Sequence, residues 1–244
     1  MDIAFYARNG YAVLTPEFPL GLIDAARSDI KRILDAQKAN RKVPLTRKPY
    51  RETASDLHLH SESVARLVSH RALHEVATAL IGPDADMRMC FTFTKTADHG
   101  EPLDWHQDWG LDQDKGYHRI SVWIAVTDAE IADGCVLVLP GSHLGPLREH
   151  TVSETHPPDK GIRGGLDAED RGRTMAVELR AGQVLILHPQ IIHGSGKNVS
   201  GRDRIAVLTS YQVPKPRYGA FWAAAGMRFS RAGKKIWEPL ATAP

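Results

Sequence analysis

Asp133-Gly134-Cys135-Val136-Leu137-Val138-Leu139-Pro140-Gly141-Ser142 sets a short apolar run between two turn signals. Asp-Gly and Pro-Gly-Ser supply the backbone conformations that reverse a chain, and the branched residues between them suit a pleated, buried surface. The same punctuation recurs on both sides of this stretch. Apolar runs over residues 86–94, 119–128, 136–139, 174–179, 184–188 and 205–212 read as strands, and Ala181-Gly182 and Ser200-Gly201 read as turns. Toward the N-terminus the pattern differs. Asn9-Gly10 is a turn leading into a short strand, Tyr11-Ala12-Val13-Leu14. Residues 20–39 carry Leu22, Ile23, Ala26, Ile30, Ile33 and Leu34 at helical spacing, and a second helix spans 61–81, capped by Ser61 and stopped by Gly82-Pro83. Residues 40–50 read as loop, and 154–172 as a long polar excursion suited to a lid. Two helices and a succession of short strands predict a mainly β fold with helical cover, a double-sheet jelly roll. No boundary divides the chain, so residues 1–244 are read as a single domain.

The bulk properties narrow the partners. The net charge of +2 lies on 244 residues without blocks of like sign, which argues against nucleic acid and membrane surfaces. No apolar run approaches a membrane span, and the first residues lack a secretory pattern. Two cysteines, Cys90 and Cys135, sit in apolar runs and make a disulfide framework improbable; a cytoplasmic, reducing location is expected.

Trp105-His106-Gln107-Asp108-Trp109-Gly110 carries the chemistry. On a strand, residues i and i+2 share a face, so His106 and Asp108 can hold one metal ion from one side. His193 in His193-Gly194-Ser195 completes two nitrogens and a carboxylate, the facial triad of non-haem Fe(II) oxygenases. Arg204 follows eleven residues later on a strand with Ala206, Leu208 and Ser210 on its face. A hairpin centred near residues 199–200 would set it opposite Ser195. An arginine on an apolar strand needs an anion, and its planar fork fits a carboxylate; an internal salt bridge is the competing reading. His188 competes with His193 as distal ligand, but its apolar strand suits a core histidine better. His70 and His74 sit four apart on a helix without a third ligand, so an exposed helix face is preferred. His58-Leu59-His60 reads as a polar connector, and His143 as a turn residue.

The order His106-x-Asp108, His193-Gly194-Ser195 and Arg204 resembles the phytanoyl-CoA dioxygenase family of Fe(II)- and 2-oxoglutarate-dependent oxygenases, which implies that the jelly roll is a double-stranded β-helix of cupin-like kind. Asn9-Gly10-Tyr11, the strand Ser121-Val122-Trp123-Ile124-Ala125-Val126-Thr127-Asp128, the opening stretch through His143, and Leu179-Arg180-Ala181-Gly182-Gln183-Val184 extend the resemblance over most of the chain. Asp133 stands where asparagine is common. The resemblance implies Fe(II) on His106, Asp108 and His193, and 2-oxoglutarate held by Arg204 and Ser195. O2 would be the second co-substrate. Trp123 matches a tryptophan lining the co-substrate pocket, with a plain core role as the alternative. Lys95 matches a strand position near the co-substrate, although the residues alone suggest a solvated strand end. Gln107, Trp109, Phe221 and Trp222 are candidates to face the substrate, and Arg163, Arg171 and Arg173 could attract an anionic one.

The expectation is therefore an oxygenase that hydroxylates an unactivated C–H of a small polar metabolite, releasing succinate and CO2, as a monomer or homodimer. The carboxylate at Asp108 favours hydroxylation over halogenation, because the halogenating relatives carry a small residue there. Desaturation, cyclisation or epimerisation on the same cofactors stays open. A non-catalytic jelly-roll binding protein and a zinc hydrolase on a similar barrel are the readings from other classes.

Overall fold

The computed structural model describes residues 1–39, 46–48, 51–98, 100–111, 118–153, 159–215 and 226–239. In chain order the elements are α1 (Ile3–Asn9), β1 (Tyr11–Leu14), α2 (Leu22–Ala39), β2 (Thr46–Lys48), β3 (Arg51–Thr53), α3 (Leu57–His60), α4 (Glu62–Val68), α5 (Arg71–Leu80), β4 (Ala85–Thr92), β5 (Leu103–His106) and α6 (Asp108–Leu111). Then come β6 (Arg119–Ala125), β7 (Val136–Leu139), β8 (His150–Val152), β9 (Lys160–Ile162), α7 (Ala168–Gly172), β10 (Met175–Val177), β11 (Val184–Leu187), β12 (Ile192–Ser195), β13 (Ala206–Gln212), β14 (Met227–Arg231) and β15 (Lys234–Pro239).

Two antiparallel sheets form the body. The major sheet has seven strands in the order β1-β11-β6-β13-β4-β14-β15, and the minor sheet four in the order β10-β7-β12-β5. Alternation along the major strands separates two cores. Val122, Ile124, Ile205, Val207 and Tyr211 face outward and pack with Ala26 and Ile30 of α2 and Leu67 and Val68 of α4. Trp123, Ala125, Leu185, Leu187 and Ala206 face inward against Val136 and Val138 of the minor sheet. Side chains of both sheets thus interdigitate, as expected of a jelly roll. No helix among the described residues is long and apolar enough to cross a membrane.

Several local expectations need correction. The helix expected over 61–81 is two: Ser61 caps α4 by accepting from Val64 N, and the chain breaks at Ser69 before His70 caps α5 through its ring. His70 is therefore a capping residue, and His74 bonds Ser230 Oγ at 3.1 Å and packs edge-on against Phe229. Neither sits on an idle exposed face. His58-Leu59-His60 lies in α3 with His58 buried, because α4 and β4 close over it. The expected loop over 40–50 contains β2, paired with β3. The excursion over 154–172 contains β9, paired with β8, and α7.

The hairpin expected between Ser195 and Arg204 does not form. The strand β12 pairs with β5 and β7 in the minor sheet, while β13 pairs with β4 and β6 in the major one. The chain between them crosses from one sheet to the other. Asn198 holds that crossing: its side-chain amide donates to the carbonyls of Lys95 and Arg202, at 3.2 and 2.7 Å.

Candidate active site

His106 ends β5, and its Cα is paired with that of His193 on the neighbouring β12. Cross-strand pairing brings the two rings to 4.1 Å between centroids. Asp108 is not on the strand with His106: β5 stops at His106, and Asp108 opens the helical turn α6. Asp108 thus joins the two histidines, but through a helical turn rather than the i, i+2 strand geometry expected of it. The turn swings the carboxylate back, so Asp108 Oδ1 lies 3.8 Å from the Nε2 of each histidine. One ligand atom from each of the three residues lies within 4.8 Å of the others.

Each histidine is oriented by its own backbone. The Nδ1–H of His106 donates to the Asp104 carbonyl at 2.8 Å, and that of His193 to the Ile191 carbonyl at 3.1 Å. This fixes the tautomer whose Nε2 lone pair points into the cluster, the arrangement a metal requires. Burial, with His193 close by, holds His106 well below the ordinary histidine range, so it is neutral and able to ligate. Burial pushes the Asp108 carboxyl up, but His193, Arg119, His106 and the Ser121 hydroxyl outweigh it and leave the group below its ordinary value. Ser121, on β6 of the major sheet, donates to Asp108 Oδ2. The residues thus offer two imidazole nitrogens and one anionic oxygen, a donor set that fits ferrous iron.

The turn carrying Asp108 is locked from behind. His150 on β8 accepts from Gln107 N at 3.0 Å through Nε2, while its Nδ1–H donates to the Arg148 carbonyl at 2.9 Å. Its ring fills the space beside Gly110, where a Cβ would lie 2.1 Å from it. Gln107 is correspondingly not a substrate-facing residue. It is fully buried, its amide donates to the Gln190 carbonyl at 2.8 Å, and its side-chain oxygen accepts from Arg148 N at 2.8 Å. Trp109 is half-buried beside the His188 ring at 5.7 Å, with its indole N–H unpartnered among the described residues. Phe221 and Trp222 lie outside the described residues.

Behind the cluster lies a second group of polar side chains. Arg204 is 1 % exposed. It makes no ion pair among the described residues, so the internal salt bridge does not account for it. Its guanidinium sits 5.2 Å from the Trp123 ring and 5.4 Å from that of Phe93, and one amino group donates to the Gly134 carbonyl. Its Nε, like Ser195 Oγ, is buried with no hydrogen-bond partner among the described residues. Lys95 pairs with Arg204 as an antiparallel bridge. It is fully buried rather than a solvated strand end, and its Nζ donates to the carbonyls of Glu101, at 2.7 Å, and Gly196. Burial and the adjacent Arg204 lower the Lys95 pKa to about 6. Gly134, at φ +74°, closes this end: a Cβ there would lie 2.5 Å from the Gly196 carbonyl oxygen. A guanidinium, a lysine amine that an anion would favour in its charged form, and a hydroxyl with unused hydrogen-bonding capacity, buried behind a three-ligand cluster, fit a small dianion.

The remaining sequence candidates are engaged elsewhere. Arg163 pairs with Glu149, Arg171 donates to the Leu166 carbonyl, and Arg173 faces Asp170. His188 accepts from Gln190 N at 3.1 Å, and His143 bonds the Ala7 carbonyl at 3.1 Å. Sequence reasoning missed Ser121 and His150. Ser121 could have been found from strand alternation, since it shares a face with Trp123; nothing local marked His150.

The family model for phytanoyl-CoA dioxygenase (PhyH) matches residues 6–206. The chain belongs to this family. The peroxisomal phytanoyl-CoA dioxygenase of Bos taurus is 24 % identical over 222 residues, an alignment covering 83 % of this chain and 65 % of the bovine protein. The chain thus spans less than two thirds of that relative's length. Among solved structures, the α-ketoglutarate-dependent carbocyclase SnoK from nogalamycin biosynthesis superposes with a TM-score of 0.69 at 22 % identity, covering 86 % of this chain and 83 % of its own. EctD from S. alaskensis with bound Fe gives 0.71 at 19 % identity, covering 99 % and 86 %. At these identities the likeness concerns the fold, and the PhyH member described here shares the jelly roll of both.

Proposed function

We propose that this PhyH-family protein is an Fe(II)- and 2-oxoglutarate-dependent oxygenase that hydroxylates a C–H bond of a small polar metabolite. The observation that carries the reading is the pairing of His106, Asp108 and His193, within 4.8 Å of one another, with a buried Arg204 whose Nε has no partner among the described residues. His106, Asp108 and His193 hold the iron, and Arg204, Ser195 and Lys95 hold the distal carboxylate of 2-oxoglutarate. When bound, the cofactors supply O2 activation: one oxygen atom goes into succinate as CO2 leaves, and the other into the substrate C–H.

The chain's own residues prepare this chemistry. The Asp104 and Ile191 carbonyls fix the two imidazoles, and Ser121 fixes the carboxylate, so the ligands need not reorganise on loading. Trp123 and Phe93 shape the walls around the guanidinium and exclude water, which strengthens its attraction for an anion. With only three protein ligands, a bound iron would keep room for the co-substrate and O2. Anaerobic 2-oxoglutarate binding followed by succinate release with Fe(II) and O2 tests the reading. His106→Ala and Asp108→Ala should each abolish succinate formation, and full turnover in either variant overturns the assignment.

Solved neighbours described as a carbocyclase and as the epimerase SnoN favour one second reading, C–H oxidation that ends in ring closure or epimerisation rather than an alcohol. Product mass separates them: hydroxylation adds one oxygen, cyclisation removes two hydrogens, and epimerisation changes nothing.

A further inference from the structure

From Arg204, just before β13, the inward residues run on through Ala206, Leu208, Ser210 and Gln212 along one face of the major sheet. Ser210 is paired across the ladder with Ser121, which holds Asp108, and Gln212 is paired with Arg119. Gln212 therefore lies one pleat beyond the metal cluster, ~7 Å along the strand from Ser210, on the side away from Arg204. Its inward direction is fixed by its neighbour: Tyr211 points the other way and donates to the Val68 carbonyl of α4.

Gln212 is 1 % exposed, and both its side-chain oxygen and its side-chain nitrogen lack a hydrogen-bond partner among the described residues. Ser210 Oγ is in the same condition. Leaving a buried amide unsatisfied at both ends is expensive, because each group has given up its bonds to water and found none in return. A methionine or leucine of similar volume would avoid the cost, so the amide is best explained by a partner that arrives from outside. The adjoining surface admits one. Leu208, its cross-strand partner Phe91, and Met89, the partner of Ser210, are half-buried, while the outward residues Val207 and Cys90 beside them are fully covered. The inner face thus opens beside Leu208 and Ser210, one pleat from Gln212, and is apolar there, whereas Gln212 itself is flanked across the ladder by the buried, charged Asp86 and Arg119.

We propose that Gln212 is a specificity-determining residue that receives a substrate group carrying an N–H and a C=O together, of the amide or lactam class, with the carbon skeleton of that substrate lying over Leu208, Phe91 and Met89. This rests on the oxygenase reading and extends it to the substrate. The amide oxygen of Gln212 accepts from the ligand N–H, and its NH2 donates to the ligand carbonyl. Analogues lacking either group leave a buried partner unpaired and are rejected strongly.

The test uses protein loaded with Mn(II) and 2-oxoglutarate, and compares 2-piperidone with N-methyl-2-piperidone by calorimetry and ligand-observed NMR. 2-Piperidone should bind, and its N-methyl analogue at least tenfold more weakly. In Gln212→Met the preference should disappear with at least tenfold loss of 2-piperidone affinity. The same variant should melt no lower than the original protein and bind 2-oxoglutarate unchanged, which a structural glutamine would not allow. Gln212→Glu, which keeps the size but replaces the NH2 donor, should bind 2-piperidone at least fivefold more weakly. Equal binding of the two lactams, binding by neither, a lower melting temperature in Gln212→Met, or undiminished 2-piperidone binding in either variant overturns the inference. If the original protein takes up no 2-oxoglutarate, the failure lies in the oxygenase reading itself; if it does and the lactam comparison fails, it lies in Gln212 alone.

Discussion

At the scale of single residues, the site depends on side chains that touch the ligands from behind. Ser121→Ala removes the hydroxyl that pins Asp108 Oδ2. Metal affinity should fall about 10–100-fold, read by competition with a chelator, with the fold intact. Arg204→Met should weaken 2-oxoglutarate binding on the order of 100-fold, since truncating one partner of a buried charge pair costs about 2–5 kcal/mol. The melting temperature without 2-oxoglutarate should hardly change, because among the described residues the guanidinium makes no ion pair to lose. Lys95 has a pH signature. Its pKa is near 6 in the folded protein against 10.5 in the open chain. Between those values the unfolded chain holds more protons, so the stability of the unloaded protein should rise as pH climbs from about 6 toward 10.5. A carboxylate arriving beside Lys95 favours its charged form, so 2-oxoglutarate binding near pH 8 should draw up to one proton from the buffer. Calorimetry in two buffers of different ionisation enthalpy measures the uptake, and Lys95→Met should abolish it.

At the scale of elements, the turn after β5 is the part that local sequence described least well. The residues His106 and Asp108 were legible because their types and spacing match a ligand pair, yet the strand geometry invoked for them fails at Gln107. The reason is tertiary: His150, more than forty residues away, occupies the space beside Gly110 and bonds Gln107 N. Gly110→Ala must displace that ring and should lower metal affinity more than it lowers stability, which a chelator titration and a melt run side by side would show. Ser61 provides the contrast. Its capping role could be read from the residue itself, and Ser61→Ala should cost about 1 kcal/mol in urea unfolding while metal and 2-oxoglutarate binding stay unchanged. The strands of the major sheet were legible for a similar reason, since continuous apolar runs such as Val184–Leu187 survive any reasonable packing. The destination of β12 was not. Proximity in sequence suggested a hairpin with β13, whereas pairing with β5 and β7 answers to the inter-sheet core, which no local window contains. Lys95 was misjudged on the same ground, its burial being supplied by the carbonyls of Glu101 and Gly196.

At the scale of the whole molecule, the two sheets contribute different parts of one site. The histidines come from the minor sheet, whereas Ser121, Arg204 and Lys95 belong to or adjoin the major one. Ligands that bridge them stabilise the folded state by mass action, about 2.7 kcal/mol at a hundredfold excess over Kd. For a chain of this size the melting temperature should rise by roughly 5–10 °C on adding Fe(II) and 2-oxoglutarate anaerobically, and a chelator should reverse the rise. The bond from Ser121 to Asp108 has a consequence for motion as well. It is a stitch across the seam between the sheets, and loading the site adds more stitches along the same seam. Amide hydrogens of β5 and β12 should then exchange with solvent only when the sheets part, and mass-resolved deuterium uptake should slow there together, as one cooperative unit, while the outer hairpin β14–β15 keeps its own faster rhythm.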